Sequence, residues 1–444
     1  MKLKLFFVVC LFLFSLCVSS LASGLTVEEE RKYGKEIFYQ IANSVPINND
    51  PFISLYLQDI KKRLEEVATL PFPITLTVIQ SQTVNAFATV GGYIYMTTGL
   101  ISFSETEEEL AGVLAHELAH ITRRHVARRV EKEKYINIGM LATMLAGILV
   151  GGDAQAKQAI IAGSQTAAQA LSLKYSRDDE EDADRTGAIF ADKAGYNATG
   201  VADFLKRLRI SSGEVTIPQY LLTHPYHEER IIKIENTWAD SKTKNNTTFY
   251  PYLVVRANVL YRPPGTGSKE IWLNKYKKDK DSPLNAYGAI LAYMSAGNIS
   301  ESVKIASNIK SPYRDLFLGE ALVNGRKFAD AVEILKYKHD PMSKMFLAKA
   351  YDGLGDVEMA AKTYRDLLPY GPVFPEIYYR IGMLTGRMGL EGMGYEYLGK
   401  YYLEIGRYDL AKTNLEKAVN RYGINSRDAQ DLLKILDQLK KTSY

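Results

Sequence analysis

The spacing of apolar residues predicts a helical start to the chain, followed by two short strands. Over residues 27–70 apolar side chains recur three or four positions apart, as on one face of a helix. Residues 74–79 alternate apolar with polar positions, and residues 93–97 repeat a strand-like pattern after the Gly91-Gly92 turn. We therefore expect two strands to precede the next helical segment.

That next segment is an amphipathic helix with two competing starts, Ser104 and Thr106. Each has a glutamate three positions later, as in a capping box. Its apolar stripe consists of Leu110, Val113, Leu114, Leu118 and Ile121. Residues 136–150 form another strongly apolar stretch, but a membrane span needs about 20 residues. We expect a buried or lid-like helix there, with peripheral contact to a membrane as the alternative.

Beyond residue 284, short helical patterns alternate with glycine turns. The turns are marked by Gly297, Gly325, Gly355 and Gly406, and small residues recur after them. Segments such as 348–355 followed by 360–364 resemble the tetratricopeptide pattern, although the spacing is irregular. Residues 284–444 are therefore predicted to form an all-α, tetratricopeptide-like solenoid that binds protein. Residues 236–283, rich in Lys, Asn, Thr, Pro and Gly, are predicted to be a connector with one helical patch near 252–261.

Composition places the chain among ordinary globular proteins. Its 444 residues predict two or three domains, and 46% hydrophobic and 24% charged residues are typical values for such proteins. A net charge of +4 gives no support for a nucleic-acid partner.

The first 22 residues have the pattern of a cleavable export signal. Lys2 and Lys4 precede an uncharged apolar run, and Ser20-Leu21-Ala22 supplies small residues for cleavage. An uncleaved anchor is the alternative. Both cysteines of the chain lie inside this segment, so the mature protein would have neither a disulfide nor a thiolate metal ligand. Export without cysteine fits a bacterial periplasm.

The central candidate for chemistry is the H-E-x-x-H motif of residues 116–120. His116 and His120 are four positions apart, so on a helix both imidazoles face one ion, and Glu117 beside them can act as a general base. The alternative is a helix with two buried, hydrogen-bonded histidines. Without cysteine, further zinc ligands must be His or carboxylate, and the acidic run 178–184 offers several that spacing alone does not separate.

This motif and the later Glu180-x-x-Ala183-Asp184 together resemble a family of zinc metallopeptidases. The family includes the CAAX-prenyl protease and periplasmic enzymes that carry tetratricopeptide repeats. The resemblance implies one zinc per chain, with Glu180 as the third protein ligand and Asp184 orienting a histidine ligand. The acids at 178, 179 and 182 are interpreted as solvated charge at a helix N-terminus.

Two further segments extend the resemblance. Residues 85–100 are similar to the family's segment before the motif helix, where a strand edge receives the substrate backbone, which makes Ala88, Tyr93 and Tyr95 candidate substrate contacts. The Thr-His-Pro sequence around His224 is similar to one whose histidine fills the fourth zinc position in periplasmic members, so His224 is a candidate latch. A plain turn histidine is the alternative.

The remaining polar candidates receive structural interpretations. Arg230 either supports the oxyanion or pairs with a nearby acid, with the second role favoured. His125 is five residues past His120, on a different helical face, and is expected to be structural, as is His227.

Together these patterns predict an α+β zincin-type peptidase domain followed by an all-α solenoid. The predicted bounds are 1–22 for the signal, 23–235 for the peptidase, 236–283 for the connector and 284–444 for the repeats. The predicted function is an exported zinc endopeptidase of unfolded or misassembled envelope proteins, gated at the fourth zinc position. The resemblance implies the outer-membrane assembly machinery as partner. Alternatives are a chaperone or scaffold with a largely latent peptidase, and a protease embedded in the membrane through residues 136–150.

Overall fold

A computed structural model describes residues 24–132, 138–150, 174–212, 219–244, 248–263 and 265–442. The predicted signal peptide and the first two residues of the apolar stretch 136–150 lie outside the described residues. Within the described ranges, no helix combines the length and the apolar character needed to cross a bilayer.

The predicted helical segment at the start is two helices, α1 (Val27–Ser44) and α2 (Pro51–Glu65). Thr26 caps α1 in a capping box, as the polar residues at its start favour. The helical segment is interrupted before α2, because Pro51 fits only in the first turn of a helix. The Asp50 carboxylate accepts hydrogen bonds from the first free backbone amides of α2.

A small sheet of three strands follows. The strands β1 (Thr75–Ile79), β2 (Ala86–Thr89) and β3 (Tyr93–Thr97) lie in the order β1-β3-β2. β3 runs parallel to β1 and antiparallel to β2. The pattern predicted β1 and β3; β2 has only four residues, too few for a clear alternation. β2 lies at one edge of this sheet.

The motif helix packs against several other elements in the first half of the chain. In the described residues between β3 and residue 244, the helices are α3 (Thr98–Phe103), α4 (Glu107–Thr122), α5 (His125–Lys132), α6 (Ile138–Val150), α7 (Arg177–Lys193), α8 (Gly200–Ser212), α9 (Tyr220–Thr223) and α10 (Glu228–Thr237). The motif helix α4 starts after Thr106, whose hydroxyl accepts from the Glu109 amide, and it packs on β2, α7 and α8. Gly187 brings α7 against the backbone of His116, since a Cβ at this glycine would lie 2.9 Å from the His116 amide nitrogen.

The apolar stretch 136–150 contributes α6, which packs along α1. Among its described side chains, Ala142, Leu145, Ala146 and Leu149 are buried. Burial of this face agrees with the buried helix expected there.

The rest of the described chain is helical. Its helices are α11 (Tyr250–Leu260), α12 (Ser268–Lys278), α13 (Pro283–Ser295), α14 (Ile299–Asn308), α15 (Arg314–Asn324), α16 (Phe328–Leu335), α17 (Pro341–Leu354), α18 (Val357–Arg365), α19 (Glu376–Arg387), α20 (Glu391–Glu404), α21 (Tyr408–Tyr422) and α22 (Arg427–Thr442). From α12 onward each helix packs on the next in sequence. A helical region after an α+β region agrees with the predicted class; the tetratricopeptide solenoid and the domain bounds stay predictions.

One apolar cluster runs from Phe52 to Ala350 and so includes much of the predicted connector. α11 is the helical patch expected near 252–261, and its Leu253 and Val255 are buried in this cluster. Arg256 of α11 binds Asp50 and Glu320, with nitrogen to oxygen distances of 2.6 and 2.7 Å. The segment 250–260 is therefore part of the core.

Candidate metal centre

Two histidines of α4 form the base of the candidate site. His116 and His120 lie one helical turn apart and are fully buried, and their Nε2 atoms are 3.0 Å apart. The helical period brings them to one face, as the motif predicts.

Glu180 reaches these histidines from the first turn of α7. Ser176 and Asp179 form a capping box that fixes the start of α7. Glu180 Oε1 then lies 3.4 Å from His120 Nε2. Burial opposes ionisation of Glu180, but the adjacent Arg230 and His224 hold its pKa well below the usual value, so the carboxylate stays charged.

His224 completes the cluster from the end of α9. Its Nδ1 lies 3.0 Å from Glu180 Oε1 and 3.3 Å from His116 Nε2, and the ring is fully buried. One donor atom from each of His116, His120, Glu180 and His224 lies within 4.8 Å of the other three.

These four donors fit a tetrahedral zinc ion. With zinc bonds of about 2.0–2.1 Å, a tetrahedron places neighbouring donors about 3.3–3.4 Å apart. The separations of 3.0, 3.3 and 3.4 Å between donors in the cluster approach that value. Three imidazoles and one carboxylate are also ligands that zinc accepts readily. The residues can therefore hold the metal without large movement.

Glu117 contacts the second ring nitrogen of His224, Nε2. Its side chain is fully buried, and its Oε1 is 3.3 Å from His224 Nε2. Burial raises the pKa of Glu117, against smaller opposing effects of His224, His116 and the backbone amide of Ala88. A buried carboxyl beside the metal donors is placed to exchange a proton with a molecule bound there.

Asp184 and Arg230 support the ligands from behind. His116 Nδ1 lies 3.0 Å from Asp184 Oδ1, one turn beyond Glu180 on α7. The Arg230 guanidinium binds both oxygens of Asp184, at 2.6 and 2.7 Å, and Glu180 Oε2 at 2.5 Å. Arg230 thus has the ion-pairing role favoured by its sequence context, since its nitrogens already contact two carboxylates.

The predicted substrate contacts divide into one at the sheet edge and two inside the sheet. Ala88 lies on the edge strand β2, next to Glu117. Tyr93 and Tyr95 lie on the central strand β3, which is paired on both sides. The prediction that the backbone of Tyr93 and Tyr95 receives an added substrate strand is wrong. β3 is already hydrogen-bonded to β1 on one side and to β2 on the other.

Two tyrosines near the cluster were not predicted. The ring of Tyr175 stacks on His120 at 3.7 Å between centroids, and the ring of Tyr220 stacks on His224 at 4.4 Å. Both tyrosines are buried. Tyr175 directly precedes the cap of α7, which is the one sequence signal that could have drawn attention to it.

The interpretation of Asp182 as solvated charge is wrong. Asp182 makes two bonds of 2.7 Å with Arg123, and it lies 3.3 Å from the buried His125. Asp179 belongs to the capping box, in keeping with its position in the first turn. His227 is the N-cap residue of α10 and makes no side-chain capping bond.

Comparison with known proteins agrees with this geometry. Residues 54–238 match the sequence profile of peptidase family M48. The region that matches M48 contains all four donors, Glu117 and Arg230, and this match supports a metallopeptidase.

Three relatives are similar to this protein over more than half of its length. Beta-barrel assembly-enhancing proteases are similar to it at 25% identity in Yersinia pestis, over 91% of this chain and 92% of the relative, and at 27% in Escherichia coli K12, over 77% and 74%. A Vibrio cholerae protein whose name includes the same words is 32% identical over 61% of this chain and 58% of its own length. The similarity to the first two continues beyond the M48 region.

Proposed function

We propose that this protein is a zinc endopeptidase that acts on unfolded or misassembled envelope proteins in the periplasm. The observation that carries the proposal is the buried cluster of His116, His120, Glu180 and His224 with Glu117 beside it. The names of the relatives support a place in outer-membrane protein assembly. The apolar run at residues 5–18 supports export.

We assign one zinc per chain to His116, His120 and Glu180. Zinc held there would supply Lewis-acid chemistry, making water more acidic and polarising a carbonyl. Glu117 then accepts the proton of the attacking water on its carboxylate and passes it to the leaving amine. Asp184 and Arg230 keep the ligands in place through their contacts with His116 and Glu180.

The edge strand β2 binds the substrate backbone in this proposal. Its neighbour β3 occupies one side, and Ala88 brings the other side next to Glu117. A cleft beside this strand is lined by Phe87, Ala88, Leu145 and Tyr175, among others. An extended peptide added to β2 would place its backbone near the cluster and one apolar side chain in the cleft.

His224 acts as a gate. Its Nδ1 is as close to the other donors as a fourth ligand would be, so a water molecule has no room while the ring remains there. Movement of His224 opens the position and frees Glu117 at the same time, because His224 Nε2 contacts that carboxylate.

Residues 284–442 are proposed to be a tetratricopeptide-like solenoid that brings clients or the outer-membrane assembly machinery to the peptidase. The succession of contacting helices from α13 to α22 supports a solenoid. A closed His224 also favours a second function, in which the chain acts mainly as a chaperone. Rescue of a deletion strain by Glu117→Gln would favour that function.

The direct test of the peptidase is Glu117→Gln, with Glu181→Gln as the matched control on the exposed side of α7. Loss of the general base should reduce cleavage of an unfolded protein by about 10²–10⁴-fold while one zinc per chain is retained. Metal analysis and cleavage rates are measured on the same samples. Undiminished cleavage by Glu117→Gln would exclude the mechanism.

The gate is tested by His224→Ala, with His227→Ala as its neighbour control. Basal cleavage should rise in His224→Ala only, since water gains the fourth position. A fall in zinc content or in cleavage would instead make His224 a required ligand or a structural residue.

A further inference from the structure

His125 contacts the rear of a proposed zinc ligand. The Nδ1 atoms of His120 and His125 are 2.9 Å apart, within hydrogen-bond distance. Both rings are buried, with exposed fractions of 0% and 2%. The two nitrogens are therefore hydrogen-bonded to each other in a position shielded from solvent.

An unusual turn brings these rings together. Five positions along one helix would carry His125 to a different face, but α4 ends at Thr122 and α5 begins at His125. Between the helices Arg124 has a φ of 54°, a left-handed conformation that is uncommon for a residue with a Cβ. The Arg124 side chain is bonded to Glu30 at 2.8 Å, which holds this turn. The chain thus reverses so that the first residue of α5 returns to His120.

Metal binding by His120 would determine which of the two Nδ1 atoms donates in this hydrogen bond. His120 Nε2 faces the cluster, 3.0 Å from His116 Nε2, and must have an open lone pair to bind metal. A neutral His120 then carries its proton on Nδ1, and this N–H donates a hydrogen bond to His125 Nδ1. His125 in turn carries its own proton on Nε2, which lies 3.3 Å from Asp182 Oδ2.

We propose that His125 is a positioning residue that fixes the ring and the tautomer of His120 for zinc, with Asp182 fixing His125. The proposal rests on the proposed zinc site. It adds to that site a chain from Asp182 through His125 to His120, in which each side chain orients the next. A histidine ligand is commonly oriented by a carboxylate or a backbone carbonyl, and a misplaced partner weakens metal binding.

The two histidines of the motif are therefore supported in different ways. His116 Nδ1 faces the carboxylate of Asp184 at 3.0 Å. His120 Nδ1 faces a second imidazole, and the nearest carboxylates to that imidazole are Asp182 at 3.3 Å and Asp179 at 3.7 Å. Asp182 is held by Arg123, with which it makes two 2.7 Å bonds. The Asp182 carboxylate, at the end of this series of hydrogen bonds, is thus held in place by Arg123.

The experiment compares His125→Phe, His125→Asn and the exposed control His339→Asn in the full chain. Phenylalanine fills the space but accepts no proton, whereas asparagine places an acceptor oxygen near the lost Nδ1. Zinc affinity is measured by competition with a chromophoric chelator. We expect His125→Phe to bind zinc about 10–100-fold more weakly, with His125→Asn restoring most of the affinity and His339→Asn unchanged.

A direct observation of the tautomer accompanies the affinities. In the zinc-loaded wild-type protein, ¹H–¹⁵N spectra of labelled histidines should show a proton on His120 Nδ1, an unprotonated His125 Nδ1 and a proton on His125 Nε2. This measurement needs no variant, so it tests the proposal even if His125→Phe fails to fold. A protonated His125 Nδ1 would overturn the proposal, because that nitrogen could not accept a hydrogen bond from His120.

The outcomes separate this inference from the function on which it rests. Failure of the wild-type protein to bind zinc would overturn the proposed function itself. Equal affinities of the wild-type protein and folded His125→Phe would overturn the positioning role alone. Equal weakening in folded His125→Asn and His125→Phe would also overturn it, because shape rather than the acceptor would then matter.

Discussion

α17 joins two regions of the molecule that are built in different ways. On its N-terminal side, one apolar cluster from Phe52 to Ala350 surrounds buried charges, among them Arg256 and the proposed zinc ligands. On its C-terminal side, smaller clusters span residues 345–384 and 415–439. Among the described residues after 350, the buried polar side chains are Thr363 and Thr385, and none is charged. Buried charge thus occurs where several segments must meet in one geometry.

The C-terminal region also touches the start of the chain. Tyr408 of α21 packs edge-on against Tyr39 of α1 at 4.8 Å between ring centroids, and Lys35 lies over the Tyr408 ring at 4.5 Å. Glu404 is half-buried near Lys35. This small contact contrasts with the large shared core at α17.

The comparison predicts the largest loss of stability at Arg256. Arg256→Met would leave Asp50 and Glu320 as buried carboxylates without their cation, so the free energy of unfolding should fall by about 3–5 kcal/mol. Arg380→Met is the control, since Arg380 pairs with Glu376 near the surface of the C-terminal region and should cost about 0–1 kcal/mol. Chemical denaturation measures both. Similar losses in the two variants would contradict the contrast between the regions.

A smaller effect is expected from pH at the contact between α1 and the C-terminal helices. Burial raises the pKa of Glu404 to about 7, against the attraction of Lys35. Between about pH 4.5 and 7 the docked state therefore binds more protons than the undocked state, so docking should weaken as pH rises, by about 3 kcal/mol at most. Hydrogen exchange of α1 amides measures this opening.

Glu404→Gln is the control for that titration. It should remove the pH dependence over this range while leaving the exchange of α2 unchanged. Persistence of the same pH dependence in Glu404→Gln would assign it to another group.

The smallest effect is expected from the aromatic contact. Tyr408→Ala removes the edge-on pair with Tyr39 and the contact with Lys35, which together should cost the docking about 1–2 kcal/mol. Tyr401→Ala is the matched control, because Tyr401 packs on Tyr379 within the C-terminal region. A fluorescence distance between α1 and α21 reports docking. Equal changes in both variants would mean that Tyr39 and Tyr408 do not hold the regions together.

The features that the sequence predicted correctly are those that depend on residues close together along the chain. The four-residue spacing of His116 and His120 fixes one helical face, and the capping residues fix where α1 and α7 begin. Glu180 could be chosen among the acids only through its resemblance to a family pattern, because its neighbours have the same chemistry. Its contact with His120 depends on how α7 packs against α4.

The unpredicted features depend on distant segments or on unusual backbone. The contact of His125 with His120 requires the left-handed Arg124, which nothing in the local sequence demands. Tyr220 reaches its stacking partner His224 within one short segment, yet the site around them is assembled from four helices. Likewise, the polar composition of residues 236–283 concealed the buried face of α11.

The bonds of Arg256 have a consequence for the order in which the chain can mature. Asp50 is 206 positions before Arg256, and Glu320 is 64 positions after it. During synthesis Asp50 is made long before its partner Arg256, and the pair of Arg256 with Glu320 requires α15. Contacts of such long range form late and slowly. The region between Asp50 and Arg256, which contains the candidate metal centre, therefore reaches its final packing only after α15 has been made.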